Sequence, residues 1–180
     1  MNSESSVVLD GKRPGLNARL LLDFVERARR QAKLRGNISV LVTRDRKMRE
    51  LNLRFRGKNS ATDVLSFPSG TTNGAAGDIA ISLNIAARNA RLLGHSVADE
   101  IRILILHGIL HLAGYDHDND GGEMEKKETT LRKKLGLPTG LIERSSGTSS
   151  VAGRSSFANS VITNGSGQRP RTNGQRRLRT

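Results

Sequence analysis

Ile101-Arg-Ile-Leu-Ile-Leu-His107-Gly108-Ile-Leu-His111-Leu-Ala-Gly114-Tyr-Asp116-His117 carries three of the four histidines of this 180-residue chain. The run Ile101–Leu112 is apolar on nearly every side, which predicts an internal helix from about Val97 to Ala113. On such a helix, positions i and i+4 lie about 40° apart around the axis and about 6 Å along it. His107 and His111 can therefore address one ion from one face. Gly114 lets the chain leave the helix and turn, and Tyr115-Asp116 bring His117 back as a third ligand. Three imidazoles with an open fourth position suit a catalytic zinc, one Zn2+ per chain. Histidines that are merely packed would each need a buried polar partner, and a shared metal supplies both at once. His95 stands apart from this group and reads as a surface or capping residue.

The spacing matches the metzincin pattern H-E-x-x-H-x-x-G-x-x-H except that Gly108 occupies the glutamate position. That glutamate is the general base of a metalloprotease, so its absence argues against peptide hydrolysis by this route. A metal that polarises an oxygen or activates water remains suited to a phosphodiester.

Composition bears on the substrate. The chain has a formal net charge of +13 and a pI near 11.3. Such a balance favours an anionic partner, nucleic acid first and an acidic membrane surface second. The absence of cysteine excludes disulfides and thiolate metal sites. The first residues lack a signal-peptide core and no segment approaches a membrane span, so a cytoplasmic protein without a membrane partner is expected. Residues 145–180 hold six arginines and no acid among Ser, Gly, Asn and Thr. This composition predicts a disordered basic tail following a single domain over 1–144.

Around the histidine helix, periodicity predicts a small α+β domain, a mixed β-sheet packed with about five helices. Val7–Leu9 reads as an edge strand, Leu16–Leu34 as an amphipathic helix and Ile38–Thr43 as a strand. Asp45 is expected to cap a helix whose apolar positions are Met48, Leu51, Leu53 and Phe55. Val64–Phe67, stopped by Pro68, and Gly77–Ser82 read as strands, with turn chemistry over 69–76. Helices over Asn84–Leu93 and Gly121–Leu135 complete the set. Asp99 and Glu100 suit the first turn of the histidine helix, where the helix dipole favours acids.

Arg56-Gly57-Lys58 supplies cations at a helix-to-loop junction. A guanidinium offers phosphate a bidentate fork, although on sequence alone an Arg-Gly-Lys is more often a solvated turn. Asp63 and Asp78 read as loop-holding residues. Asp116 fits either a base acting through a water or an acceptor that orients a histidine.

Four blocks in order resemble the YbeY family of bacterial endoribonucleases and ribosomal RNA maturation factors. They are Leu51-Asn-Leu-Arg-Phe-Arg-Gly-Lys58, Thr62-Asp-Val-Leu-Ser-Phe-Pro68, Gly77-Asp-Ile-Ala-Ile-Ser82 and His107 through His117. The resemblance spans about residues 35–135, and Ala61 departs from a proline frequent in the family before Thr-Asp. It implies a zincin-like fold with zinc on His107, His111 and His117, and Arg56 facing the metal cleft as a residue needed for activity. It further implies single-stranded RNA as substrate, ribosomal RNA and the small ribosomal subunit as setting, and ribosome assembly proteins as further partners. Arg56 would then stabilise transition-state charge and Lys58 would add a phosphate contact. The base is left open among zinc hydroxide, the ribose hydroxyl and Asp116 through a water. A zincin-like metalloprotease and a non-catalytic assembly factor with structural zinc are the competing readings. Oligomeric state is not legible.

Overall fold

Alternation at period two sends Ile38, Val40 and Val42 to one side of their strand, and all three are buried. That strand, β2 (Asn37–Thr43), is parallel to β1 (Ser6–Leu9) on one flank and to β4 (Ala75–Ser82) on the other. The edge strand β3 (Val64–Pro68) runs antiparallel to β4, giving a four-stranded mixed sheet of order β1-β2-β4-β3. The computed structural model describes residues 4–11, 13–70, 74–116 and 120–139. The basic tail expected over 145–180 lies outside them, as does His117.

Five helices surround the sheet: α1 (Ala18–Gln31), α2 (Asp45–Arg56), α3 (Leu83–Leu93), α4 (Val97–Leu112) and α5 (Glu123–Leu135). The α+β class, the mixed sheet and the helix count agree with the sequence reading. The side chains of β3 divide the layers. Val64 joins Ile79, Ile81 and the β2 residues in the main core, against α1, α4 and α5. Leu65 and Ala80 point the other way and form a smaller cluster with Met48 of α2, flanked by Leu51 and Phe67. Helix α2 therefore lies on the sheet face opposite α4.

Local chemistry sets the ends of these elements. Asn17 accepts from the amides of Arg19 and Leu20 at 2.9 and 3.2 Å, and Ser96 accepts from Asp99 at 3.0 Å, so both cap helix N-termini. Asp45 does not cap α2 as expected. Arg44 holds the N-cap position, and the Asp45 carboxylate accepts from the hydroxyl of Ser82 instead. The buried face of α2 is also corrected. Met48 and Asn52, four apart, are buried, whereas Leu53 and Phe55 are 49% and 45% exposed. Leu53 stands about 140° round the helix from Met48 and turns away from the sheet, whereas Phe55, seven residues on, shares the face of Met48 but sits in the last turn, where Phe67 covers its ring in part.

Pro68 is the last residue of β3, not a stop before it, which an edge strand tolerates. Beside it, β4 starts at Ala75, two residues earlier than expected. Gly77 is required there: its φ is 153°, and a Cβ would lie 2.4 Å from the Phe67 carbonyl oxygen and 2.7 Å from Leu112. Leu112 thus fixes the C-terminal end of α4 at the Phe67–Gly77 end of the sheet. Helix α2 ends there too, on the other face, because the Phe55 and Phe67 rings meet edge-on with centroids 5.0 Å apart.

Candidate active site

Helix α4 buries eleven of its sixteen residues, among them His107 and His111. Their Nε2 atoms lie 3.0 Å apart. Each ring is held from behind through Nδ1. His107 Nδ1 is 2.8 Å from Oε2 of Glu128, and His111 Nδ1 is 3.0 Å from the carbonyl oxygen of Tyr115. A carbonyl only accepts, so Nδ1 of His111 carries its hydrogen. Glu128 is the same kind of partner because it is ionised at neutral pH. Burial pushes its pKa up, but the hydrogen bonds from His107 and Arg132, with the charge of Arg132 and the charge His107 carries when protonated, outweigh this and bring it from 4.5 to about 2. Both imidazoles are thus placed as Nδ1–H tautomers, with their Nε2 lone pairs turned toward one another. Two lone pairs at that distance call for a cation, either a proton or a metal.

Glu128 is absent from the sequence reading, yet its signal was present. In α5 the buried positions are Met124, Glu128 and Leu131, so a carboxylate stands on the apolar face of an otherwise polar helix. A buried acid at such a place needs a partner. Asp120 orders the entry to this helix, accepting from the amides of Gly122 at 2.9 Å and Met124 at 2.7 Å. For His107 and His111, the orienting role considered for Asp116 falls to Glu128 and to the Tyr115 backbone.

Gly108 has a second meaning in three dimensions. A Cβ there would lie 2.9 and 3.0 Å from Ile79 carbons and 3.1 Å from the hydroxyl oxygen of Ser66. The metzincin glutamate is therefore both missing and without space, because α4 packs directly on β3 and β4 at that point.

Arg56 is the last residue of α2, and Gly57 closes the helix in the left-handed conformation at φ 67°. Its guanidinium is partly buried, and burial lowers its pKa from the ordinary arginine value. Its Nε is buried and has no hydrogen-bond partner among the described residues. Among the described residues no hydrogen bond or ion pair is seen between Arg56 and His107 or His111. The helices carrying them converge on the same end of edge strand β3 from opposite faces. Lys58 is exposed on the following loop, its amide donating to the Asn52 carbonyl at 3.3 Å. The Asn52 side chain ties this loop down by donating to the Ser60 carbonyl at 2.7 Å.

Asp63 holds its turn as expected, accepting from the amide of Val64 at 2.8 Å and the hydroxyl of Thr62 at 3.1 Å. Asp78 is an exposed residue within β4, paired with Phe67 and Ser39, and not a loop residue. His95 is corrected as well. Its side chain is largely buried, 2.6 Å from the carboxylate of buried Glu100. Glu100 thus has a partner in the interior as well as the helix dipole. None of the described helices is long and apolar enough to cross a membrane.

The chain is similar to known proteins across most of its length. The sequence model of endoribonuclease YbeY matches residues 12–136. The endoribonuclease YbeY of Koribacter versatilis is 55% identical over 138 residues, 77% of this chain and 90% of that protein. That of Nautilia profundicola is 52% identical over 109 residues, 60% of this chain and 78% of that protein. The solution structure of a Thermotoga maritima protein superposes with a TM-score of 0.52 at 30% identity, covering 72% of this chain and 88% of the other. The protein is a nuclease of α+β fold. The chain belongs to the endoribonuclease YbeY family, and its activity is that of an endoribonuclease.

Proposed function

We propose that the chain cleaves single-stranded RNA at a phosphodiester with the help of a zinc ion held by His107, His111 and His117, and that ribosomal RNA in the maturing small ribosomal subunit is its substrate. The observation that supports this most directly is the pair of converging Nε2 atoms, each ring locked by an acceptor at Nδ1. A separation of 3.0 Å suits two donors of one ion with bonds of about 2.0–2.1 Å. Nitrogen donors without thiolates fit zinc, and the third ligand is the histidine that follows Gly114 and Tyr115 in sequence. When bound, zinc supplies Lewis-acid polarisation of a phosphoryl oxygen and activation of water.

The remaining work falls to the protein. Glu128 and the Tyr115 carbonyl keep both histidines in the ligand tautomer. Arg56 offers a guanidinium that has already lost part of its water, so an incoming phosphate offsets a desolvation cost carried by the fold. Lys58, exposed on the following loop, adds a second positive charge. Gly108 keeps the protease base out, in accord with a substrate that needs charge neutralisation. The domain runs over 1–144, and the arginines of 145–180 add a sequence-independent attraction to RNA.

The test is a cleavage assay on structured and single-stranded ribosomal RNA, with metal content measured on the same preparations. His111→Ala is expected to lose metal and cleavage together. Arg56→Ala is expected to keep fold and metal while losing about 10²–10³ in rate. An Arg56→Ala protein that cleaves as well as wild type removes the arginine from the mechanism. A folded, zinc-loaded wild type that leaves every RNA intact overturns the zinc-nuclease reading.

A further inference from the structure

Residues Leu51–Lys58 end α2 with three cations, Arg54, Arg56 and Lys58, and no acidic side chain. Within this segment stands the most exposed aromatic ring of the described residues. Phe24 is 1% exposed and Phe67 is half-buried, whereas Phe55 is 45% exposed. The ring is not loose. Phe67 meets it edge-on at 5.0 Å, and the Arg54 guanidinium lies 5.3 Å from its centroid. A ring held by Phe67, with the flat Arg54 cation over it and two further cations within three residues along the chain, offers what an unpaired base needs, namely π surface for stacking and neutralisation of the adjoining phosphates.

We propose that Phe55 and Arg54 form a stacking platform for an unpaired RNA base, next to the phosphate contacts of Arg56 and Lys58. The inference deepens the RNA-cleavage reading and rests on it for the choice of ligand. It explains why an apolar ring is left in water where α2 had room for a polar residue. It also gives a reason for preferring single strands, since a base paired in a duplex has no free face to stack. The location is consistent with a strand leading to the histidines, because α2 and α4 end at the same end of β3.

Fluorescence anisotropy on the full, metal-loaded chain tests this, with a short single-stranded 2′-O-methyl RNA that resists cleavage and a counterpart bearing abasic sugars. Wild type is expected to bind the base-bearing strand roughly tenfold more tightly than the abasic one. Phe55→Leu, which keeps apolar bulk but has no ring, is expected to reduce that preference to near unity. Phe55→Trp is expected to preserve or raise it, which separates stacking from misfolding. An unchanged preference in Phe55→Leu overturns the platform, as does a wild type with no preference. A concentration-dependent dimer dissolved by Phe55→Leu, with RNA preference intact, assigns the patch to self-association and overturns it too. Binding is read apart from cleavage, so a protein that stacks bases but cuts no RNA refutes the nuclease chemistry and not the platform.

Discussion

His107 of α4 and Glu128 of α5 are joined at 2.8 Å through Nδ1 and Oε2, so the fifth helix orients a residue of the fourth. The other carboxylate oxygen accepts from Arg132, which anchors Glu128 in place. The relationship makes α5 part of the candidate site although it supplies none of the proposed metal ligands.

Glu128→Gln keeps the size of the side chain but removes its charge and permits the amide to present a donor to the ring. Zinc affinity is expected to fall about 10–100-fold, with cleavage recoverable at high zinc. Competition against a chelator of known affinity measures this. An unaltered affinity would remove Glu128 from the site.

The same carboxylate sets an acid response in metal-free protein. Its pKa lies at about 2 in the fold against an ordinary 4.5, so the folded state binds this proton less readily than the unfolded chain. Its stabilising contribution is complete above about pH 4.5 and is lost as pH falls toward 2. Thermal melts of wild type and Glu128→Gln should therefore differ most near neutral pH and converge in acid. Parallel curves across that window would contradict the assignment.

Gly108→Ala places a methyl against Ile79 and Ser66 and is expected to cost about 1–3 kcal/mol by overpacking. Gly108→Glu, which restores the metzincin pattern, is expected to destabilise more and to yield no casein cleavage. Denaturant unfolding measures the first expectation. Zinc-dependent proteolysis by a folded Gly108→Glu protein would refute the second.

Removal of residues 145–180 takes away six arginines. If they neutralise phosphates of a single strand, the slope of log affinity against log salt should shrink by about 0.7 for each phosphate left unneutralised. Anisotropy titrations at two salt concentrations measure the slope. Equal slopes and equal low-salt affinity in full and shortened chains would leave the tail without an RNA role.

The histidine pair, the turn at Gly114 and most element boundaries were legible in sequence because they depend on neighbours within about one turn of chain. Residues four apart on a helix meet whatever the rest of the fold does. Leu53 was misjudged because hydrophobicity was weighed there without the helical angle that turns it outward, and Phe55 because the end of a helix leaves a ring on the sheet-facing side partly uncovered. The pairing of His95 with Glu100 was missed because an acid in a first helical turn is ordinarily satisfied by solvent and dipole.

What the sequence determined by itself was the chemistry available to the candidate site: imidazoles four residues apart on a helix, no thiolate, and a glycine where a protease keeps its base. What only the tertiary structure decided was how that chemistry is supported. Glu128 reaches His107 across 21 residues, Ile79 and Ser66 close the space beside Gly108, and β3 brings the ends of α2 and α4 together. These contacts join segments distant along the chain. Their geometry follows from which faces the sheet and helices bury against each other, and no local spacing encodes that.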